Sequence, residues 1–125
     1  MKFKRSNKRQ AGFTILEIFI IVTIIGLLAT IAFSNFVIAR DNARLTVITT
    51  NLREIESAKE QWALNNKKST GAAVDDMNDL KPYLRSELAN VVDEIYEANA
   101  IGTPATASLP VRLGTYPAGS QIAAP

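Results

Sequence analysis

Residues 12–39 read GFTILEIFIIVTIIGLLATIAFSNFVIA, and this stretch decides the fold. From Ile18 to Ala39 it holds 22 residues with no Asp, Glu, Lys or Arg. As an α-helix rising ~1.5 Å per residue, these residues would extend about 33 Å, which matches the hydrocarbon core of a bilayer. The sequence therefore predicts a transmembrane helix over residues 13–39.

Glu17 is the acidic residue at the start of this apolar tract. An unpaired carboxylate in hydrocarbon costs several kcal/mol, so an acid within a membrane segment is taken as functional and is expected to meet a cation. The alternative interpretation places Glu17 near the lipid headgroups, where its side chain would reach water.

The chain has a basic start and an acidic remainder. It contains fourteen Lys and Arg and twelve Asp and Glu, and five of the cations but none of the acids precede Phe13. These five are Lys2, Lys4, Arg5, Lys8 and Arg9. By the positive-inside rule they keep the N-terminal end in the cytoplasm, so residues 40–125 are expected to be exported. Residues 13–125 carry nine cations against twelve acids, and without a clustered basic face we expect no direct binding of nucleic acid.

The stretch GFTILE at residues 12–17, placed after a basic segment, resembles the class III leader of type IV pilins and type II secretion pseudopilins. The resemblance implies that a prepilin peptidase and methylase cuts between Gly12 and Phe13 and methylates the new amino terminus of Phe13. It also implies an assembly platform in the bacterial inner membrane, membrane lipid and further filament subunits as partners. The head would lie in the periplasm until assembly into a type IV pilus or a type II secretion pseudopilus.

The resemblance also implies a cation for Glu17. Cleavage after Gly12 creates an ammonium on Phe13, four residues before the carboxylate. In the family, the glutamate at this position meets the amino terminus of a neighbouring subunit. An ion pair in a low dielectric penalises any register that leaves one charge alone, so we expect Glu17 to set the register of assembly.

The helical pattern continues beyond the membrane segment. Apolar residues recur at three- and four-residue spacing with one turn skipped, at Leu45, Ile48, Leu52, Ile55 and Trp62. This stripe predicts an amphipathic stalk helix over residues 40–68, in which Leu52, Ile55 and Trp62 pack against a head. Trp62 could alternatively stack on a ligand, but its place on the stripe favours core packing.

The charged residues from Arg53 to Lys59 and from Glu56 to Glu60 are expected on the other sides of the stalk. Within the apolar half, Gly26 marks a point of helix flexibility, because glycine costs about 1 kcal/mol relative to alanine in a helix. Close packing of helices at a small residue is an equally good interpretation of Gly26. Many type IV pilins have a proline after a comparable glycine; here Ser34 stands at that position, which favours a straighter helix.

The remaining residues, 69–125, predict a small head. Asp75, Asp76 and Asp79 supply an N-cap and an acidic first turn for a short helix, which we favour over a calcium site because EF-hand spacing is absent. A second amphipathic helix is predicted from Leu84 to near Asn99. The Gly- and Pro-rich residues 102–125 predict one or two short strands and an irregular C-terminal end.

These elements together predict an α+β fold that is mostly α, a reduced pilin fold of a long N-terminal helix and a small C-terminal head. The predicted segments are a leader at 1–12, a transmembrane or filament-core helix at 13–39, a stalk at 40–68 and a head at 69–125. Residues 51–65 add a second resemblance, to short bacterial prepilin-like proteins with small heads.

The chain contains no cysteine and no histidine, which excludes disulfides and every catalytic arrangement built on those residues. We predict no enzyme activity, no cofactor and no metal site. Many major pilins close their C-terminal region with a disulfide, and this chain departs from that pattern. Three functions stay open at this point: a pilus subunit, a secretion pseudopilin, and a monomeric signal-anchor protein that binds an envelope partner.

Overall fold

The computed structural model describes residues 1–4 and 12–125 and divides them into two compact units, Met1–Phe36 and Val37–Pro125. The predicted leader therefore lies partly outside the described residues. One α-helix, α1, runs from Ile15 to Asn65 and contributes to both units. No proline interrupts these 51 residues, and a single helix is the result that the apolar tract and the stalk pattern predict together.

Helix α1 ends at Asn65, three residues before the predicted end at Lys68. A Schellman motif caps this end. The amide of Lys68 donates to the carbonyl of Ala63 at 2.8 Å, and the amide of Lys67 donates to Leu64 at 3.4 Å. Lys67 occupies the left-handed position of the motif with φ 54°. Glycine is the usual residue at this position because a Cβ atom is strained there.

The predicted short helix of the head is a 3₁₀ helix at Met77–Tyr83. Asp76 is its N-cap, and the Asp76 carboxylate accepts hydrogen bonds from the Asn78 amide and side chain at 2.8–2.9 Å. These bonds, the one from the backbone amide first, hold the pKa of Asp76 below its ordinary value. Asp76 therefore caps the 3₁₀ helix, as the capping interpretation of the acidic run predicted.

The predicted second helix from Leu84 to Asn99 is wrong. The chain instead forms bends and irregular backbone, followed by strand β1 at Ile95–Glu97. The Glu94 carboxylate accepts hydrogen bonds from the amides of Val91 and Val92, and Asp93 adopts φ 58°. Side-chain bonds to these amides replace the bonds of a helix. The apolar spacing that suggested a helix is explained by packing, because Leu84, Leu88 and Val91 contact the core from irregular backbone.

The head contains one antiparallel sheet of three strands in the order β1-β2-β3, with β2 at Thr106–Ser108 and β3 at Gln121–Ala123. The register aligns Tyr96 with Ala107 and Ala107 with Ile122. These aligned residues are more buried than their neighbours along each strand, so they form the inner face of the sheet. The predicted fold class is confirmed, with one more strand than the sequence pattern indicated.

The core of the second unit lies between one face of α1 and the head. The buried apolar side chains come from α1, the 3₁₀ helix, the sheet and the segments that flank its strands: Ile48, Leu52, Ile55, Ala58, Leu80, Ala98, Ala105, Ala107, Leu109 and Leu113. Three of the head residues in this set are alanines, whose small side chains allow the sheet backbone to approach the helix closely.

We predict that Lys67→Gly stabilises the second unit by about 0.5 kcal/mol. The substitution removes the strain of a Cβ at positive φ, and part of that gain is offset by the greater freedom of glycine in the unfolded chain. Chemical denaturation of the detergent-solubilised chain, followed by the fluorescence of Trp62, measures the change. Lys68→Gly is the matched control: Lys68 does not have a positive φ, so this substitution should destabilise the unit. Equal effects of both substitutions would contradict the proposed strain at Lys67.

Candidate functional site

The start of α1 is organised by Thr14. Its Oγ1 accepts a hydrogen bond from the Glu17 amide at 3.1 Å, which satisfies one of the free amides at the helix N-terminus. Gly12 precedes this cap, and a Cβ atom built there would meet nothing within 4 Å. Phe13 is 78% exposed. Gly12 and Phe13 therefore lie in open surroundings directly before the helix.

Glu17 lies in the first turn of α1 and is exposed. The positive end of the helix dipole favours an acid at this position. Among residues 1–4 and 12–125, the salt bridges are Arg40 with Asp41 and Lys59 with Glu56, and neither involves Glu17. Within the described chain, the carboxylate is thus stabilised by the helix end and has no ion-pair partner.

The apolar part of α1 exposes its entire surface. Its large side chains from Ile15 to Phe36 are 44–91% exposed, and the segment is long and apolar enough to cross a membrane. The hydroxyls in this segment donate to its own carbonyls, Thr23 to Phe19 at 2.8 Å and Thr30 to Leu27 at 2.7 Å. Because these hydroxyls are satisfied within the helix, they do not oppose burial in lipid or among other apolar helices.

Gly26 lies within the continuous helix, and a Cβ atom built there would have open space for at least 4 Å. The helix thus neither breaks at Gly26 nor packs another described segment against it. Ser34 bonds to the carbonyl of Thr30 at 3.4 Å, which is the ordinary behaviour of a hydroxyl in an apolar helix.

The three residues predicted to hold the head occupy one side of α1. Leu52 and Ile55 are fully buried, and Trp62 is partly buried against the same core. Asn65, one turn beyond Trp62, donates to the hydroxyl of Tyr83 at the end of the 3₁₀ helix at 3.1 Å. The apolar stripe of the stalk is therefore the surface on which the head lies.

The prediction that Lys59 lies on an outer side of the stalk is wrong. It is 1% exposed and fills the turn that the apolar stripe skips, four residues after Ile55. Its Nζ donates to Glu56 Oε1 at 3.0 Å and to the carbonyl of Thr103 at 2.6 Å. The same Glu56 oxygen accepts from the amide of Ala105. This pair therefore fixes the segment that leads into β2 onto the helix.

Asn51 makes a second polar junction, which the sequence analysis missed. Its Nδ2 donates to the carbonyl of Ala89 at 2.7 Å and to the hydroxyl of Tyr96 at 2.8 Å. The Tyr96 hydroxyl donates to Glu94 Oε1 at 2.8 Å, so helix, turn and β1 share one network. Both Asn51 and Glu94 are buried. The signal that could have revealed this junction is the position of Asn51, directly beside Leu52 on the stripe.

The pKa values of the network follow from its hydrogen bonds. Burial alone raises the pKa of Glu94, but the bonds that its carboxylate accepts from Val92, Tyr96 and Val91 outweigh burial, and the pKa lies below its ordinary value. Burial also raises the pKa of Tyr96, and the nearby Glu94 carboxylate raises it further. The folded unit therefore favours an ionised Glu94 beside a protonated Tyr96.

Comparison with known proteins finds relatives of two kinds. The chain is 33% identical over 95 residues to the type IV wide pilus major component PilA4 of Thermus thermophilus, over 74% of this chain and 69% of that protein. It is 37% identical over 62 residues to the type IV major pilin protein PilA of Myxococcus xanthus, over 50% of this chain and 28% of that protein. It is 32% identical over 60 residues to the type II secretion system core protein G of Pseudomonas aeruginosa, over 48% of this chain and 42% of that protein.

The chain belongs to the family of type IV pilins and type II secretion pseudopilins. No family model and no solved structure matches it. The match to the Myxococcus pilin spans less than a third of that protein, whereas the match to the Thermus pilus component spans more than two thirds. Family membership makes the chain a structural filament subunit and confirms that it is not an enzyme.

The family assignment gives the two parts of the chain their roles. The exposed apolar part of α1 has the surface chemistry that favours burial in lipid or against other apolar helices, and the buried stripe carries the head. Among the described residues, no group of three acidic, histidine or cysteine side chains is arranged to hold a metal ion. The described start of α1 presents an exposed apolar surface and the carboxylate of Glu17.

We predict that Lys59→Ala destabilises the second unit by about 2 kcal/mol, because it leaves Glu56 and the carbonyl of Thr103 without their shared donor and opens a gap in the core. The midpoint of chemical denaturation, read from Trp62 fluorescence, measures the loss. Glu60→Ala, at an exposed position on the same helix, should change stability by no more than about 0.5 kcal/mol. Similar stability of Lys59→Ala and the parent chain would refute the role of Lys59 in fixing the segment before β2 onto the helix.

We also predict that the stability of the second unit depends on pH through the ionisation of Glu94. The pKa of Glu94 is lowered in the folded unit. The stability that its ionised carboxylate contributes is therefore present above the ordinary pKa of 4.5 and is lost as the pH falls through the folded pKa. Glu94→Gln should cost about 2 kcal/mol at neutral pH and should flatten the loss of stability in acid. Denaturation curves of both proteins between neutral and acidic pH test this, and parallel losses would contradict it.

Proposed function

We propose that this chain is a filament subunit that is cut after Gly12, N-methylated at Phe13 and assembled through its apolar helix. The observation that carries the proposal is the arrangement at the start of α1. An open glycine precedes a capped helix, an acid lies in its first turn, and the apolar surface behind that acid is exposed. A helix of this kind needs both a hydrophobic environment and a cation.

Cleavage after Gly12 would supply that cation. The new ammonium on Phe13 would lie at the positive end of the helix dipole, where a cation is unfavourable unless an acid is near. Glu17 of the same or a neighbouring subunit is the available acid. In an array of apolar helices, the pairing of Glu17 with the amino terminus of a neighbour penalises each register that leaves a charge alone.

The pair of charges also explains why the alternative role of Glu17, reaching water at the headgroups, is less favourable in a filament. Once apolar helices replace lipid around residues 13–39, water no longer surrounds the carboxylate, and its charge has to be balanced by another protein group. The Thr14 cap keeps the first turn helical and so holds the carboxylate in a defined position. We therefore assign the register of assembly to Glu17.

The proposed segments follow from these roles. Residues 1–12 form a cytoplasmic leader, residues 13–39 span the inner membrane and later form the filament core, residues 40–68 form the stalk, and residues 69–125 form the periplasmic head. A prepilin peptidase that also methylates Phe13, and an inner-membrane assembly platform, are the proposed partners besides other subunits. Gly26 would give the spanning helix some freedom to bend during extraction from the bilayer.

Of the two filament types, the pilus is the first candidate. The match to the Thermus wide pilus component covers 95 residues, which is longer than α1 and its preceding segment together and so includes part of the head. The match to the Pseudomonas secretion protein covers 60 residues. The secretion pseudopilus is the second candidate, since several core proteins G match the chain over about half its length. A monomeric signal-anchor is the alternative if the leader is retained.

The intact mass and N-terminal sequence of the protein from its native membrane test processing. A chain that begins with methylated Phe13 supports the prepilin pathway. A chain that still begins at Met1 contradicts it and favours the monomeric anchor. Surface filaments recognised by an antibody to the head then favour the pilus, whereas a secretion defect without surface filaments in a deletion strain favours the pseudopilus.

We predict that Glu17→Ala leaves cleavage after Gly12 largely intact but lowers filament yield about 100-fold, since an unpaired buried charge costs about 3 kcal/mol. Sheared filament fractions and the ratio of cut to uncut chains in the membrane measure the two steps separately. Thr14→Ala is the control: it removes a cap worth about 1 kcal/mol but keeps the acid, so filaments should still form. Normal filament yield from Glu17→Ala would refute the assigned register role.

A further inference from the structure

We propose that one end of the head docks on anionic phospholipid headgroups while the subunit waits in the membrane. The docking surface, called here the membrane-proximal patch, consists of Arg40, Arg44, Val111, Arg112 and Tyr116. The proposal rests on the proposed function only in requiring that the apolar helix lie in a bilayer with the head outside it.

The position of the patch follows from contacts within the second unit. Leu113 and Tyr116 exchange backbone hydrogen bonds of 2.9 and 3.0 Å and close a tight turn. Gly114, at φ 58° in this turn, lies against α1, because a Cβ atom built there would be 3.6 Å from Leu45 Cδ1. The turn therefore packs on the N-terminal part of the stalk.

Leu45 is six residues beyond Ala39, where the uncharged tract ends. This separation corresponds to about 9 Å along a helix axis. Each headgroup layer is about 5–8 Å thick, so Leu45 would lie at the outer surface of the headgroups if the apolar tract filled the hydrocarbon. Arg40, the first residue of the patch, directly follows Ala39 in the sequence.

The exposed side chains of the patch have the chemistry of a membrane interface. Tyr116 is 38% exposed and Val111 is 49% exposed, although both are large and lie next to the buried Leu113. Arg112 between them is exposed, and the side chain of Arg40 is 47% exposed. Tyrosine rings favour the headgroup level, and arginine side chains extend from apolar surfaces to phosphate groups.

The charges of residues 40–125 are unevenly distributed: cations are in excess in the segments that form the patch, and acids are in excess elsewhere. Residues 40–44 contain Arg40 and Arg44 with one acid, Asp41, and residues 109–125 contain Arg112 with no acidic side chain. These segments together carry three cations and one acid, whereas the rest of residues 40–125 carries six cations and ten acids. An anionic surface therefore attracts the patch and repels the remainder of the head.

This charge division favours lipid over a second copy of the chain as the partner of the patch while the subunit is in the membrane. The headgroup layer adjoins Arg40 in every inserted subunit, whereas contact with another head depends on concentration. Docking would hold the head in one orientation until assembly, when the patch has to leave the headgroups together with the helix.

Tryptophan quenching tests this inference with the full-length chain in vesicles of equimolar phosphatidylglycerol and phosphatidylcholine. The probe variant carries Trp62→Phe and Tyr116→Trp, so its one tryptophan lies in the patch. The parent chain, with Trp62 near the far end of α1, is the matched control. A spin-labelled headgroup lipid serves as the quencher, and flotation after an alkaline wash verifies insertion.

We expect several-fold stronger quenching at position 116 than at Trp62, and weaker quenching in vesicles of phosphatidylcholine alone. Arg112→Gln in the probe variant should lower the ratio of docked to free heads about five-fold, since one juxtamembrane arginine contributes about that factor. Arg85→Gln removes an exposed arginine elsewhere on the head and should leave quenching unchanged. A high salt concentration should act like Arg112→Gln.

Equal quenching of the two tryptophans in floated vesicles would overturn the docking proposal and leave the filament function untouched. Quenching at position 116 that follows protein density but not phosphatidylglycerol content would also overturn it and would indicate a second copy as the partner. Loss of the chain from the vesicles on alkaline washing would overturn the membrane anchor itself, and docking with it.

Discussion

The burial of one face of α1 beneath the head is the interaction on which the second unit depends. The strands have three residues each, and the 3₁₀ helix has seven. Elements of this size cannot bury enough apolar surface among themselves to offset the entropy of ordering the chain. Ile48, Leu52 and Ile55 supply the missing core, and the polar junctions at Asn51 and Lys59 determine where the head segments meet the helix. The head is therefore a covering for a helix rather than an independent domain.

The sequence predicted the parts of this fold that depend on periodicity and failed where side chains bond to the backbone. The uncharged tract and the stripe from Leu45 to Trp62 predicted one long helix, and the structure has it. The apolar residues from Leu84 to Ile95 have helical spacing, yet Glu94 binds the amides that a helix would use. Such a competition between side-chain and helical hydrogen bonds depends on burial, which spacing does not report.

Lys59, whose position in the stalk was predicted wrongly, illustrates the same limit. A lysine within an amphipathic pattern is normally solvated, and Lys59 becomes a core residue because the Thr103 carbonyl and Glu56 lie within reach of its ammonium. Those partners are distant in sequence or on the neighbouring turn, so only the tertiary structure reveals them. For the N-terminal segment, Gly12, Phe13 and Glu17 form a compact local motif that can be recognised from the sequence alone, and their roles stay predictions.

The shortness of the strands has a consequence for a protein that works in a dense array. Sheet edges with free amides and carbonyls can pair with edges of neighbouring molecules, and a filament holds its heads at very high local concentration. Strands β1 and β3 form the two edges of the sheet, and each is only three residues long. So few backbone groups can form only a few hydrogen bonds between the sheet edges of adjacent heads. A sheet this small therefore offers neighbouring molecules little template for amyloid-like pairing.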